Sequence, residues 1–440
     1  MFWIELIVVL GMLLIGARFG GIFLGMSSGV AIAVLIFGFG CVPGSPPIDV
    51  MMIIMTVVVT ASVLQASGGM DYLVQVAANM LRRNPKRISF YAPIISWLFT
   101  FMCGTGNIVY SILPVIAEVS REAGVRPERP ISISVIASQQ AITACPISAA
   151  TVALLGFLAP SGISLIDILI VCIPATLIGV VAGAIYSARV GKDLHEDQEY
   201  LDRVARGEAA PINETTDFKE KTFGKREKTA VALYFLATFI VIGFGLFPSL
   251  RPSFLIDGKT AMLSMTMTIE IVMMIMAGII ILAAKVDVKS VIEQSVFKQG
   301  LMGVYCIFGL AWAGDTLVKN NIDFLKAGAQ DIVLAQPWVF ALVLFFISAL
   351  ILSQAGTIGA LAPLGISLGL PAPAMIGMFP SVNGYFFVPS YATILAGIAF
   401  DRTGTTRIGK YVFNHSYMIP GLITCVVSVA VGLGLANAWL

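Results

Sequence analysis

From 164 to 188 the chain reads SLIDILIVCIPATLIGVVAGAIYSA, with Asp167 its single charge. A helix of that length rises about 37 Å, enough to cross the roughly 30 Å hydrocarbon core of a bilayer. In lipid the backbone must satisfy its own hydrogen bonds, so such a run folds as a helix or as a strand of a closed barrel. Strict alternation of apolar and polar residues is missing, which speaks against the barrel. Crossings are predicted near 2–17, 20–40, 48–68, 130–158, 164–188, 228–248, 260–284, 298–318, 372–400 and 412–438. Of the 440 residues 58% are hydrophobic and only 12% are charged, against about 25% charged in soluble domains. The expected class is an all-α polytopic membrane protein with about ten transmembrane helices.

Two further apolar stretches, 88–119 and 337–369, are interrupted by CGTGN and SQAGTIG. Each is too broken for one crossing, and its arms are too short for two. Each therefore reads as a re-entrant hairpin, whose irregular backbone needs surrounding protein or a water-filled cavity. With Arg82, Arg83, Lys86 and Arg87 placed in the cytoplasm, 23 of the 27 basic residues fall on that side. That is the expected bias, and it puts both termini outside. The polar stretch 190–227 then becomes a cytoplasmic linker, helical in part near its start. It is either a solvated connector or a regulatory contact.

The net charge of +2 gives no footprint for nucleic acid. Six cysteines without C-x-x-C spacing read as buried inert thiols, and two histidines do not build a metal site. No cofactor is expected. The opening MFWIEL lacks a basic n-region, so no cleaved signal peptide is read.

The halves flanking the linker share an order of features. Asn84-Pro85 precedes the first hairpin and Gln336-Pro337 the second, and Thr105 and Thr357 each lie 20 residues after their proline. Asp71 and Asp315 sit at helix ends before the hairpins, as caps or as proton or cation sites. After each hairpin comes a helix interrupted by proline, TACPISAATV and FFVPSYATIL. With five crossings in each half, the copies would be inverted repeats, 1–189 and 228–440, a plan that sets a transporter's site at the repeat interface.

The breaks supply binding chemistry. Gly104 and Gly106 let backbone turn and approach a ligand. Thr105 and Asn107 add a hydroxyl and an amide, and the helix N-terminus beyond them attracts anions. Gln354, Gly356 and Thr357 stand at the second tip, beside Ser353. Pro146 and Pro389 open two more breaks, flanked by Ser148 and by Ser390 and Thr393, and Asn383 lies nearby. No Lys or Arg is placed near the midplane, so an anion would be held by neutral donors. The competing explanation is helix–helix packing, where small and hydroxyl residues are common. A sodium- or proton-coupled symporter, a channel and a membrane-embedded enzyme are the functional alternatives. The scarcity of histidine and midplane carboxylates speaks against the enzyme.

Several stretches resemble the anaerobic C4-dicarboxylate transporter (Dcu) family: GARFGGI (16–22), LQASGGMDYLVQ (64–75), MLRRNPKRI (80–88), GTGN (104–107), AITACPISAA (141–150), GLAWAGDTLVKNNID (309–323), SQAGTIGALAP (353–363) and FDRTGTTRIGKYVFNHSYMIPG (400–421). The resemblance implies an inner-membrane carrier of aspartate, fumarate, malate and succinate, working by exchange. It implies the inverted-repeat, two-hairpin fold and a homodimer among membrane lipid. Asn107 and Ile394 stand where the fumarate–succinate branch tends to carry His and Asp, so the chain looks more like the aspartate and general C4-dicarboxylate branch. Cys103, Cys145 and Gly356 to Gly359 depart from the family pattern, which speaks against a sensor-kinase partner.

Overall fold

The computed structural model describes all residues except 20–21, 213–221, 257–258, 322–323, 325–334, 390 and 410–413. Ser390, Lys326, Lys410 and the start of the expected 412–438 crossing therefore lie outside the described residues. The first half runs α1 Phe2–Phe19, α2 Phe23–Ala33 with a π-turn to Gly38, α3 Ile48–Ala66, α4 Gly69–Arg82, α5 Ile88–Cys103, α6 Ile108–Glu122, α7 Glu128–Ile142, α8 Ala149–Leu158 and α9 Leu165–Ser187. A short α10, Gln198–Ala205, opens the polar linker as expected. The second half holds α11 Lys225–Leu246, the antiparallel β1 Ser253–Ile256 and β2 Lys259–Met262, α12 Met265–Ala284, α13 Val288–Glu293, α14 Ser295–Asn320, α15 Trp338–Ile351, α16 Gln354–Ser367, α17 Ala372–Met378, a 3-10 stretch Phe379–Phe386, α18 Ala392–Phe400 and α19 Met418–Trp439.

Among the described residues six helices, α3, α9, α11, α12, α14 and α19, are long and apolar enough to cross a bilayer. Two expected crossings are broken around their prolines, as the sequence suggests. The segment 130–158 divides into α7 and α8, and 372–400 into α17, the 3-10 stretch and α18. The first break closes on itself. The Ile142 carbonyl, released from the helical ladder, accepts from Ser148 Oγ at 2.6 Å and Thr151 Oγ1 at 3.0 Å. Ser148 Oγ also caps α8 through Thr151 N at 3.2 Å. Residues 260–262, placed at the start of a crossing, belong to the strand β2, and α12 begins only at Met265, capped by Ser264.

The amphipathic α4 was not among the expected crossings. Gly68, at φ +77°, ends α3 and turns the chain into it. Met70, Leu73, Ala77 and Leu81 then recur at helical spacing on its buried face, which packs on α6. Asp315 lies inside α14 rather than at its end. Its Oδ2 accepts from Ser45 N at 2.7 Å and Lys319 Nζ at 2.9 Å, tying down the loop before α3. Gly44 N to Thr316 Oγ1 at 3.0 Å and Trp312 Nε1 to Gly44 O at 2.9 Å complete that anchor.

The first part of the linker is a docked clasp rather than a solvated connector. Arg126 binds Glu128 at 2.6 Å and also pairs with Asp197. Arg129 reaches Asp193 at 2.6 Å and Val190 O at 2.7 Å. The same segment grips the second half, with Arg203 Nη1 to Gly404 O at 2.9 Å, Ala210 N to Arg402 O at 3.0 Å and Arg407 Nη1 to Glu199 Oε1 at 2.5 Å. Glu118 is buried against Arg121, whose guanidinium also donates to Pro211 O.

Candidate functional site

The first hairpin turns at the predicted place. α5 ends at Cys103, and Gly104 takes the left-handed φ of +70° that closes the helix. A side chain with a Cβ pays about 1–2 kcal/mol there, and a Cβ on Gly104 would also stand 3.0 Å from Ile147 O. Gly106 is needed for a different reason. A Cβ there would overlap the Gln139 carboxamide, with Cδ and Oε1 at 3.0 Å. Asn107 N donates to Thr105 Oγ1 at 3.3 Å, and Tyr234 OH of α11 pins the Cys103 carbonyl at 3.0 Å.

The second hairpin turns earlier than expected. Leu352, at φ +55°, holds the left-handed position that Gly104 holds in the first. Ser353 then caps α16 through Gly356 N at 3.1 Å. Gln354, Gly356 and Thr357 thus form the first turn of a helix, not an irregular tip. Thr357 is fully buried, and its hydroxyl returns to Ser353 O at 2.8 Å.

Both turns meet at one cavity of about 160 Å³, small beside the roughly 300–1,000 Å³ of drug-sized pockets. Of the residues expected to bind, Gly104, Thr105, Gly106, Asn107 and Gln354 line it. Pro146, Ser148, Gly356, Thr357, Asn383, Pro389 and Thr393 do not. Ser148 is the cap of α8, and the buried Thr393 hydroxyl has no partner among the described residues. Ala149 and Ala150 open α8, and Gln354 and Ala355 open α16; all four line the cavity. First-turn amides lack intrahelical acceptors and carry partial positive charge. Aliphatic residues complete the lining, with Ile54, Val57, Val58 and Ala61 of α3 and Val296, Gly300 and Ile307 of α14, beside the polar Gln299 of α14. No charged side chain is among the lining residues.

Sequence reasoning missed Gln139, Gln140, Gln299 and Tyr391. Gln139, Gln299 and Tyr391 line the cavity, and Gln140 stands behind it. Gln354 Nε2 donates to Gln139 Oε1 at 2.8 Å and to Asn383 Oδ1 at 3.1 Å. Asn383 Nδ2 donates onward to Gln140 Oε1 at 3.2 Å and Pro380 O at 3.1 Å. Four buried carboxamides thus tie the second hairpin to both broken helices. The available signal was SQQA at 138–141, two adjacent carboxamides within an apolar segment. The arrangement suits a small polar anion with an apolar middle, because neutral donors, helix N-termini and aliphatic carbon line the same cavity.

Comparisons with known proteins agree with this chemistry. The family described as "Anaerobic c4-dicarboxylate membrane transporter" matches residues 1–440. The C4-dicarboxylate transporter DcuA of Wolinella succinogenes is 40% identical over 433 residues, 97% of each chain. DcuA of Escherichia coli K12 is 40% identical over 99% of each chain, and the anaerobic C4-dicarboxylate transporter DcuB of Escherichia coli O6:H1 is 37% identical over 98% of each. The crystal structure of the YdaH transporter from Alcanivorax borkumensis superposes with a TM-score of 0.58, covering 92% of this chain and 87% of that one. At 15% identity that likeness concerns the fold alone. A match along the whole length, and relatives this similar from end to end, make the chain a multi-pass membrane protein of the anaerobic C4-dicarboxylate transporter family.

Proposed function

We propose that this protein exchanges C4-dicarboxylates such as aspartate, fumarate, malate and succinate across the bacterial inner membrane by alternating access. The observation that carries the proposal is the uncharged cavity between the two hairpin turns, in a chain whose relatives are named C4-dicarboxylate transporters. Thr105, Asn107 and the tip amides would hold one carboxylate. Gln139 and the first-turn amides of α16 would hold the other, and the aliphatic residues of α3 and α14 would cover the carbon chain. Neutral donors suit a carrier, because a buried lysine or arginine in the empty site would be costly during the return step.

The same proposal includes two inverted repeats, 1–189 and 228–440, joined by the cytoplasmic linker 190–227. The repeats comprise ten crossings and two re-entrant hairpins, with both termini periplasmic, in a homodimer. Support comes from the matched element order and from one contact. Gln140 lies six residues before Pro146 and Asn383 six before Pro389, and these two side chains bond each other across the site.

The test is uptake of radiolabelled fumarate into sodium-free proteoliposomes, with and without internal succinate. Uptake that depends on internal dicarboxylate supports exchange. Equal uptake into empty vesicles would refute it, and a requirement for a sodium or proton gradient would favour a symporter.

A further inference from the structure

The guanidiniums of Arg126 and Arg407 stand between two hollows, well away from the hairpin turns. The inner hollow is a cleft of about 10 Å³ that also holds Asp197 and Glu199. Arg126 Nη1 donates to Asp197 and Arg407 Nη1 to Glu199. The outer hollow is a cavity of about 300 Å³, walled by Tyr186, Gly191, Asn414 and Ser416. Its one carboxylate, Glu128, is already engaged. Oε2 accepts from Arg126 Nε and Oε1 from Ser416 Oγ, each at 2.6 Å. Arg126 Nη2 and Arg407 Nε and Nη2 keep N–H groups without a hydrogen bond among the described residues. The acids thus lie inside, and the outer cavity is left with cationic donors in planar forks, the geometry that fits phosphate oxygens.

The position of the cavity identifies the source of the phosphate. α9 ends at Ser187 and α19 begins at Met418, and both helices are long and apolar enough to cross a bilayer. Their ends form the rim, with Tyr186 of α9 and Ile419 of α19 both lining the cavity and both exposed. Tyrosine is favoured at that depth of a membrane. Ile178, Val181 and Ile185 are exposed along one face of α9, an apolar strip that leads away from the rim. Arg189 and Lys192 flank the lining residues Val190 and Gly191, are exposed, and form no ion pair among the described residues. We propose that this cavity binds the phosphodiester of an anionic phospholipid, whose acyl chains lie along α9 and α19. Arg126 and Arg407 hold the phosphate, and Arg189 and Lys192 add the positive charge that draws an anionic headgroup to a membrane surface. A choline ammonium beside the phosphate would meet the same cations, so a zwitterionic lipid of that kind binds less well. Free phosphate shares the headgroup chemistry and has no use for the apolar strip.

The experiment titrates the full chain, purified in a neutral detergent, with phosphatidylglycerol or with phosphatidylcholine of the same acyl chains, and reads bound lipid by native mass spectrometry. A third arm adds inorganic phosphate to the phosphatidylglycerol complex. The wild type binds phosphatidylglycerol more tightly than phosphatidylcholine, and inorganic phosphate does not displace it. Arg407→Gln raises the half-saturating phosphatidylglycerol concentration about tenfold, the loss of a hydrogen bond between charged groups. Arg189→Gln combined with Lys192→Gln changes only exposed side chains and raises it several-fold, which keeps the test open should Arg407→Gln not fold. Equal binding of the two lipids, or an affinity for phosphatidylglycerol unmoved by these substitutions, overturns the proposal. Displacement by inorganic phosphate overturns it too, by making the cavity a site for a soluble anion. Dicarboxylate exchange is not part of the readout, so the transport reading stands or falls separately.

Discussion

Gly106→Ala tests the tightest point of the site. Gly106 has an ordinary φ, so alanine brings no backbone strain. The whole effect is steric, since the new Cβ would occupy the place of the Gln139 carboxamide. Gln139 is 1% exposed and held by Gln354 at 2.8 Å, so it can yield only by breaking that bond and leaving its position on the cavity wall. Losing a hydrogen bond to a charged ligand costs about 2 kcal/mol, roughly thirtyfold in affinity. The assay is concentration-dependent exchange in proteoliposomes, with thermal unfolding in detergent as a check that the fold survives. The account expects a rise in half-saturating dicarboxylate of that order, with unfolding changed little. Exchange within about threefold of wild type would refute the claim that the first turn and Gln139 are packed as one wall.

Three further outcomes follow. Tyr234→Phe removes the 3.0 Å bond to the Cys103 carbonyl and should lower stability by about 1–2 kcal/mol, read by thermal unfolding, because a buried carbonyl loses its partner. Asp197→Asn removes one of the two carboxylates on Arg126; it should loosen the clasp, seen as faster proteolytic cleavage within 190–228 than in the wild type. Gly278→Ala lies inside α12 with nothing within 4 Å of the added Cβ; it should be neutral or stabilise by up to about 1 kcal/mol, and a marked loss of folded protein would contradict the packing of that helix.

The first hairpin was legible in the sequence because its special backbone positions are glycines. Gly104 marks a left-handed turn and Gly106 a close approach, and both are visible as letters. The second turn was misplaced by four residues because the left-handed position is taken by Leu352, which gives no such signal. The Gly-Thr pair at 356–357 drew the expectation instead, and it proved to be the first helical turn. The long breaks at Pro146 and Pro389 were visible too, but not which side chains they bring together. Gln139 and Gln140 are two polar letters in an apolar segment, and it is α7 that carries them to Gln354 and Asn383, each more than two hundred residues away in the chain. The clasp was hidden for another reason. A charge-rich linker reads as solvated, and only tertiary structure reveals that Arg126, Arg129 and Arg407 pair with its acids.

The most direct test of the central claim asks whether substrate sits between the two turns. All six native cysteines are buried, so Thr105→Cys would add one thiol reachable from the cavity. The measurement is the rate of maleimide labelling of Thr105→Cys, over the wild-type background, with and without saturating succinate or aspartate. The account predicts that either dicarboxylate slows labelling several-fold, and that acetate does not. Labelling unchanged by a dicarboxylate that the same variant still exchanges would place the substrate elsewhere and contradict the account.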